Sequence, residues 1–141
     1  MKRVMVLVVG LLLAGFSNTF AAECADYAKG LEKCEKYSCK FTHPFTNTKM
    51  EKKILGLVDG KCGTTEEMPN HGMMACHYSE VQRKAVAQYL VKAMTAESVG
   101  MKTTIDTATG KAETRHTLDD KAVENPLDKA MNDGTCVISG Y

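Results

Sequence analysis

Tryptophan is absent from the 141-residue sequence, and phenylalanine occurs only four times. A carbohydrate-binding platform, which depends on large aromatic side chains, is therefore not expected. The sequence also lacks a G-x-S-x-G motif, a P-loop and a dinucleotide-binding fingerprint, which are signatures of large enzyme classes. Glu66 and Glu67 are neighbours on a predicted strand and face opposite sides of it, so they do not form a glycosidase carboxylate pair.

The chain has no strong excess of charge of either sign, with 18 basic and 17 acidic side chains and a formal net charge of +1. No block of Lys and Arg provides the electropositive surface that nucleic-acid binding requires. Lys49, Lys52 and Lys53 are interpreted as the solvated side of a strand near a sheet edge. We therefore expect no nucleic-acid partner.

The long apolar run of the chain, residues 4–16, is too short to span a membrane, which takes about 20 residues. Two basic residues precede the run and small or polar residues follow it, which is the layout of a secretory signal peptide. Cleavage after Ala21 fits best, and the glutamate before Cys24 argues against a lipid attached there. The sequence thus predicts a removed signal peptide over residues 1–21, one mature domain over residues 22–141 with no membrane span, and a periplasmic or secreted bacterial protein.

Six cysteines follow the predicted cleavage site, and their even number in an exported chain is typical of a disulfide framework. Sequence alone does not choose among the possible pairings. Cys34 and Cys39 come closest to a C-x-x-C motif but have four residues between them, so a thiol–disulfide oxidoreductase is not expected. The predicted disulfide-bonded residues are Cys24, Cys34, Cys39, Cys62, Cys76 and Cys136.

The mature chain opens with a predicted helix whose apolar positions Cys24, Tyr27, Leu31 and Cys34 recur at steps of three and four. Cys24 and Cys34 would lie about 15 Å apart along its axis. Disulfide-bonded Cα atoms lie within about 7 Å of each other. These two cysteines are therefore not expected to pair with each other.

Four strand-like segments follow, separated by turn signals at residues 47–48, 59–60 and 69–72. They predict a four-stranded antiparallel meander, and Pro44 places the first strand at the sheet edge because proline cannot donate a ladder hydrogen bond. A tight turn at residues 47–48 would put Phe41 opposite Ile54. One face of the meander is predicted to carry Phe41, Phe45, Ile54, Met74, Cys76 and Tyr78.

The segment after the meander is predicted to be an amphipathic helix that covers this face. Ser79 and Gln82 form a capping box at its start. Its apolar stripe runs from Val86 to Met94 at helical spacing. The charged side of the helix is predicted to contain Arg83, Lys84 and Lys92.

The last third of the chain differs in composition from the segments before it. Residues 98–122 are polar and threonine-rich and are predicted to form an exposed hairpin or a partly mobile loop. A short helix follows, with Asn125 as its N-cap and Gly134 just beyond its end. The apolar segment around Cys136 is expected to dock on the meander as a short strand. The predicted fold is α+β: a four-stranded antiparallel meander packed against an amphipathic helix, with an N-terminal helix, a C-terminal short helix and strand, and disulfide staples.

The hairpin that ends the meander offers a candidate metal site. Alternation along a strand places His71, Met73 and His77 on one exposed face, and Met68 lies just before the turn. Imidazole suits Cu(II) and thioether suits Cu(I). One hypothesis is a copper site of Met68, His71, Met73 and His77, and the other is an ordinary solvent-facing hairpin without a cofactor.

No constellation of residues indicates catalysis. Cys76 and His77 are adjacent on a strand and point opposite ways, so they cannot pair directly as nucleophile and base. The sequence therefore favours a non-enzymatic exported protein that binds a protein or small ligand, with an inhibitor that presents rigid loops as one form. The alternative function is periplasmic copper binding by the His/Met hairpin.

Overall fold

The structure is a computed structural model that describes residues 23–43 and 46–140. The predicted signal peptide lies outside these residues, as do Pro44 and Phe45, so the expectations for them are not addressed by the fold. None of the described helices is long and apolar enough to cross a membrane.

Three helices and eight strands are formed by the described residues. The helices are α1 (Tyr27–Lys33), α2 (Glu80–Thr95) and α3 (Pro126–Asn132). The strands are β1 (Tyr37–Thr42), β2 (Lys49–Val58), β3 (Lys61–Glu67), β4 (Met73–Tyr78), β5 (Val99–Ile105), β6 (Ala112–Leu118), β7 (Lys121–Val123) and β8 (Cys136–Ser139).

The predicted α+β fold is confirmed. Strands β1 to β4 form the antiparallel meander, and β8 adds a fifth strand beside β4, giving the order β1-β2-β3-β4-β8. The C-terminal strand is thus docked on the meander, with Cys136 directly opposite Cys76. The β2–β3 hairpin turns at Asp59 and Gly60, whose φ angles of 51° and 76° are those of the two-residue turn that suits a twisted hairpin.

The register predicted between the first two strands is wrong. Phe41 lies opposite Met50, and Ile54 lies opposite Tyr37. The connection is longer than a tight turn, because the His43 N–H donates to the Thr48 carbonyl across it. The register differs by four residues, and an even shift leaves every side chain on its predicted face. Phe41 and Ile54 are accordingly both buried.

Helices α1 and α2 cover one face of this sheet. Gly30 lets α1 lie close to β2, because a Cβ at this position would be only 3.1 Å from Ile54 Cδ1. Leu31, one residue later, is 1% exposed beneath α2 and above the sheet. Helix α1 begins at Tyr27, later than the stripe that starts at Cys24 predicts. The core includes Tyr27, Leu31, Ile54, Cys62, Cys76, Tyr78, Val86 and Ala87.

The predicted capping box at the start of α2 is confirmed. The Gln82 N–H donates to Ser79 Oγ over 3.3 Å, and the Ser79 N–H donates to Gln82 Oε1 over 2.9 Å. We expect Ser79→Ala to lower the free energy of unfolding by about 1 kcal/mol, because the Gln82 N–H loses its acceptor at the start of the helix. Urea denaturation would measure this. Ser98→Ala, in an exposed connection, is the matched control, and an equal effect of both changes would contradict the prediction.

The prediction that Arg83 lies on the solvent-facing, charged side of α2 is wrong. Lys84 and Lys92 are exposed, but Arg83 is half-buried, and its Nη1 is shielded from solvent without a hydrogen-bond partner among the described residues. Arg83 lies three and four residues before Val86 and Ala87, so it shares their inward face.

Residues 98–122, for which the sequence predicts an exposed hairpin or a partly mobile loop, contribute to a second antiparallel sheet with the order β5-β6-β7. The β5–β6 turn closes with the Gly110 N–H donating to the Asp106 carbonyl. The short helix α3 follows with its predicted N-cap, because Asn125 Oδ1 accepts from the Leu127 N–H over 3.0 Å.

Candidate functional site: a cleft and a projecting hairpin

The six cysteines form three disulfides, and Cys24 and Cys34 do not pair with each other. Two of the bonds fasten the two ends of the α1 segment to β1 and β3, and the third joins β4 to β8. No free thiol exists among the described residues, so this part of the chain carries no cysteine nucleophile. The pairs are Cys24–Cys39, Cys34–Cys62 and Cys76–Cys136.

The four candidate copper ligands lie on the β3–β4 hairpin. Met68 is half-buried, and His71 is exposed in the turn with a φ of 63°. Met73 and His77 are exposed on the same face of β4 but four residues apart, which is about 13 Å along a strand. Ligand atoms of one ion lie within about 4 Å of each other, so Met73 and His77 would share an ion only with both side chains directed toward each other along the strand.

The described residues contain no group of three or more His, Cys, Asp or Glu side chains arranged to hold a metal ion. These four residue types do not include methionine, whose thioether is also a copper ligand. Copper binding by Met68, His71, Met73 and His77 stays a prediction.

The prediction that Lys52 lies on the solvated side of its strand is wrong. Its side chain is 14% exposed on the core face, where Nζ lies 3.2 Å from Glu66 Oε2. Nζ also lies 4.8 Å from the Phe41 ring centroid and 5.2 Å from that of Tyr27. Lys52 lies two residues from buried Met50 and two from buried Ile54. All three therefore share one face of the strand, and the lysine points inward.

Lys52 and Glu66 form a polar cluster with two buried phenols, those of Tyr27 and Tyr78. Burial raises the pKa of Tyr78 to about 12, and the Glu66 charge adds to the effect. Burial likewise raises the pKa of Tyr27 well above its ordinary range. The side chain of buried Thr64 forms a hydrogen bond with each phenol. Cys136 Sγ lies 3.3 Å from the Tyr78 hydroxyl. Because these groups satisfy one another inside the fold, we assign the cluster to stability and not to binding.

An open cleft lies where α2, α3 and the second sheet meet, and it has two adjoining lobes that share Val123, Glu124 and Lys129. The apolar lobe, about 700 Å³, is lined chiefly by Val81, Ala85, Tyr89, Leu118, Pro126 and Ala130. The polar lobe, about 590 Å³, is lined chiefly by Arg115, His116, Asn125, Asp128, Asn132 and Asp133.

A histidine–carboxylate pair lies in the polar lobe. His116 Nε2 is 3.0 Å from Asp128 Oδ2, and Asn125 Nδ2 lies 3.3 Å from the same ring nitrogen. The pair joins the second sheet to α3. Burial and the Asp128 charge raise the pKa of Tyr89, the aromatic side chain of the neighbouring lobe. This arrangement provides hydrogen-bonding groups at the end of an apolar surface.

The β5–β6 hairpin projects beyond the cleft. Every residue of β5 is exposed, and Val99, Met101 and Ile105, on one face, are 59%, 71% and 63% exposed. Leu118, paired with Val99, is buried at the base of the hairpin. The apolar face of the hairpin therefore continues into the apolar lobe of the cleft.

Sequence reasoning missed both surfaces. His116 and Asp128 are twelve residues apart, and no local spacing connects them. The hairpin did carry a signal, because Val99, Met101 and Ile105 alternate with polar residues. No family model, curated protein or solved structure matches this chain, so function has to be argued from these surfaces.

Proposed function

We propose that this chain is a non-enzymatic exported binding protein and that β5 holds an extended segment of a partner protein as an added strand. The observation that carries this proposal is an open strand edge beside an uncovered apolar face. Export is supported by the three disulfides, which persist in oxidising compartments.

The outer edge of β5 has unpaired backbone donors and acceptors. Proteins usually shield such edges by keeping them short or charged. Among the edge strands β1, β5, β7 and β8 of the two described sheets, β5 is the longest, with seven residues. Lys102 is the one charged side chain along it. A peptide that pairs with this edge would form backbone hydrogen bonds and lay alternate side chains beside Val99, Met101 and Ile105.

The base of the hairpin is fixed before binding. Asp119 Oδ1 accepts hydrogen bonds from the Glu97 and Ser98 backbone N–H groups over 2.7 and 3.0 Å. Thr103 and Thr114 join the two strands through their hydroxyls, 3.0 Å apart. Since a preorganised strand loses little conformational entropy on binding, these contacts favour recognition.

The test compares Met101→Lys with Thr104→Lys, which adds the same charge on the opposite face of the same strand. The immobilised wild-type protein should retain a partner from an envelope extract. The purified partner should bind Met101→Lys at least about tenfold more weakly, because a charge replaces a buried apolar contact. Thr104→Lys should bind within about twofold of the wild type. Equal binding by both variants, or no retained partner, would contradict the proposal.

A further inference from the structure

The apolar lobe of the cleft has the features of a small-molecule site. Its floor includes Leu118 and Ala130, which are 7% and 2% exposed, so its base is buried and apolar. Val81 lines the lobe and is 79% exposed, so its aliphatic side chain is largely open to solvent there. A volume of about 700 Å³ is within the range of small-ligand sites.

Two lysines give this lobe its charge. Lys92 on α2 and Lys129 on α3 both line it, and neither has a carboxylate within salt-bridge distance among the described residues. Lys84, on the same helix as Lys92, is by contrast paired with Glu80 at 2.6 Å. Glu124 is the one acidic side chain of the lobe, so its lining carries a net charge of +1.

The acidic groups of the adjoining polar lobe are largely engaged. Asp128 is paired with His116, and Asp133 accepts hydrogen bonds from the Thr135 N–H and from Gln82. Lys129 interacts with the Asp133 charge at longer range than a salt bridge. The two lysines and the uncovered apolar wall therefore lie together in the apolar lobe. An apolar molecule that carries one negative group complements both.

We propose that this cleft is a binding site for small organic acids, with the apolar body of the ligand between Val81, Tyr89 and Leu118 and its anionic group beside Lys92 and Lys129. The Tyr89 hydroxyl offers a further donor to the anion. This site adjoins the base of the β5–β6 hairpin through Leu118 but does not use the β5 edge, so it does not depend on the function proposed for that edge.

Two fluorescent probes test the proposal, because 8-anilinonaphthalene-1-sulfonate and N-phenyl-1-naphthylamine share one ring system and differ by the sulfonate. The oxidised protein should bind the sulfonate at a single saturable site, and the neutral probe about tenfold more weakly, the scale of one charge-assisted hydrogen bond. Lys92→Gln with Lys129→Gln should abolish this preference and leave binding of the neutral probe unchanged. Lys33→Gln with Lys111→Gln removes the same charge from surfaces outside the cleft and should keep it.

Two further variants locate the probe. Ala85→Phe should block the lobe and weaken both probes about tenfold or more, whereas Ala108→Phe, the same change in the β5–β6 turn, should not. Ile105→Lys, at the far end of the hairpin, should also leave binding unchanged. Loss of sulfonate binding in Ile105→Lys would place the dye on the hairpin and overturn the cleft site. Absence of saturable binding, or a preference that survives the Lys92 and Lys129 changes, would overturn it equally.

Discussion

Reduction of the three disulfides should unfold this protein at room temperature without denaturant. The bonds close loops with sequence separations of 15, 28 and 60 residues. The loss of chain entropy in the unfolded state makes each worth about 3 to 4 kcal/mol, and together about 11 kcal/mol. Domains of this size are stable by only about 5–15 kcal/mol in total. Little or nothing is then left to hold the reduced chain folded.

The experiment reduces the protein in native buffer, alkylates it and records its thermal transition by circular dichroism. Mass spectrometry should count six alkylated cysteines after reduction, and the cooperative transition should be lost. Protein treated with the alkylating agent alone is the control and should melt as before. A cooperative transition in the fully alkylated chain would contradict the prediction. Among single removals, Cys24→Ala with Cys39→Ala should cost least, about 3 kcal/mol, because this bond closes the shortest loop.

The parts of the fold that the sequence predicts correctly depend on local chemistry. The turn at Asp59 and Gly60 requires two positive φ angles, and the capping box of Ser79 and Gln82 needs residues only three apart. Asn125 caps α3 for a similar local reason. These signals marked where strands and helices begin, and the meander followed from their order.

The parts that were wrong or unforeseen depend on the length of a loop or on distant residues. The β1–β2 register failed because the connection after His43 is several residues longer than a tight turn, which no single residue announces. The charge of Lys52 predicts a place in solvent, but the residue lies two positions from both Met50 and Ile54 and therefore shares their inward face. Its partner Glu66 is on another strand, and the pair forms only once the strands are in register.

The candidate sites were missed for a related reason. The polar composition of residues 98–122 favours an exposed hairpin or loop and obscures the alternation of Val99, Met101 and Ile105 with polar residues. The cleft brings α2, α3 and β6 together from distant parts of the chain. Leu118 is buried where these elements meet, and a single leucine in a polar stretch does not reveal that position.

Raising the pH from 10 to 12 should weaken the fold steeply. In the unfolded chain the Tyr78 phenol ionises with its ordinary pKa of 10.0, and in the fold burial raises this pKa to about 12. Below pH 10 both states keep the proton, so no stability is lost. Between pH 10 and 12 the unfolded chain releases the proton first, and the free energy of unfolding falls by about 2 kcal/mol from this group alone. Tyr27, whose pKa burial also raises, adds to the loss.

Urea denaturation at pH 8, 10, 11 and 12 would measure this fall in wild type, Tyr78→Phe and Leu31→Ala. Tyr78→Phe loses the ionisable group, so its decline between pH 10 and 12 should be smaller than that of the wild type by about 2 kcal/mol. Leu31→Ala should lower stability by about 3 kcal/mol at every pH, because it opens a cavity in the core and removes no proton. The comparison separates a change of slope from a general loss of packing. A wild-type stability that stays level to pH 12, or a Tyr78→Phe curve parallel to that of the wild type, would show that this phenol is not held neutral by the fold.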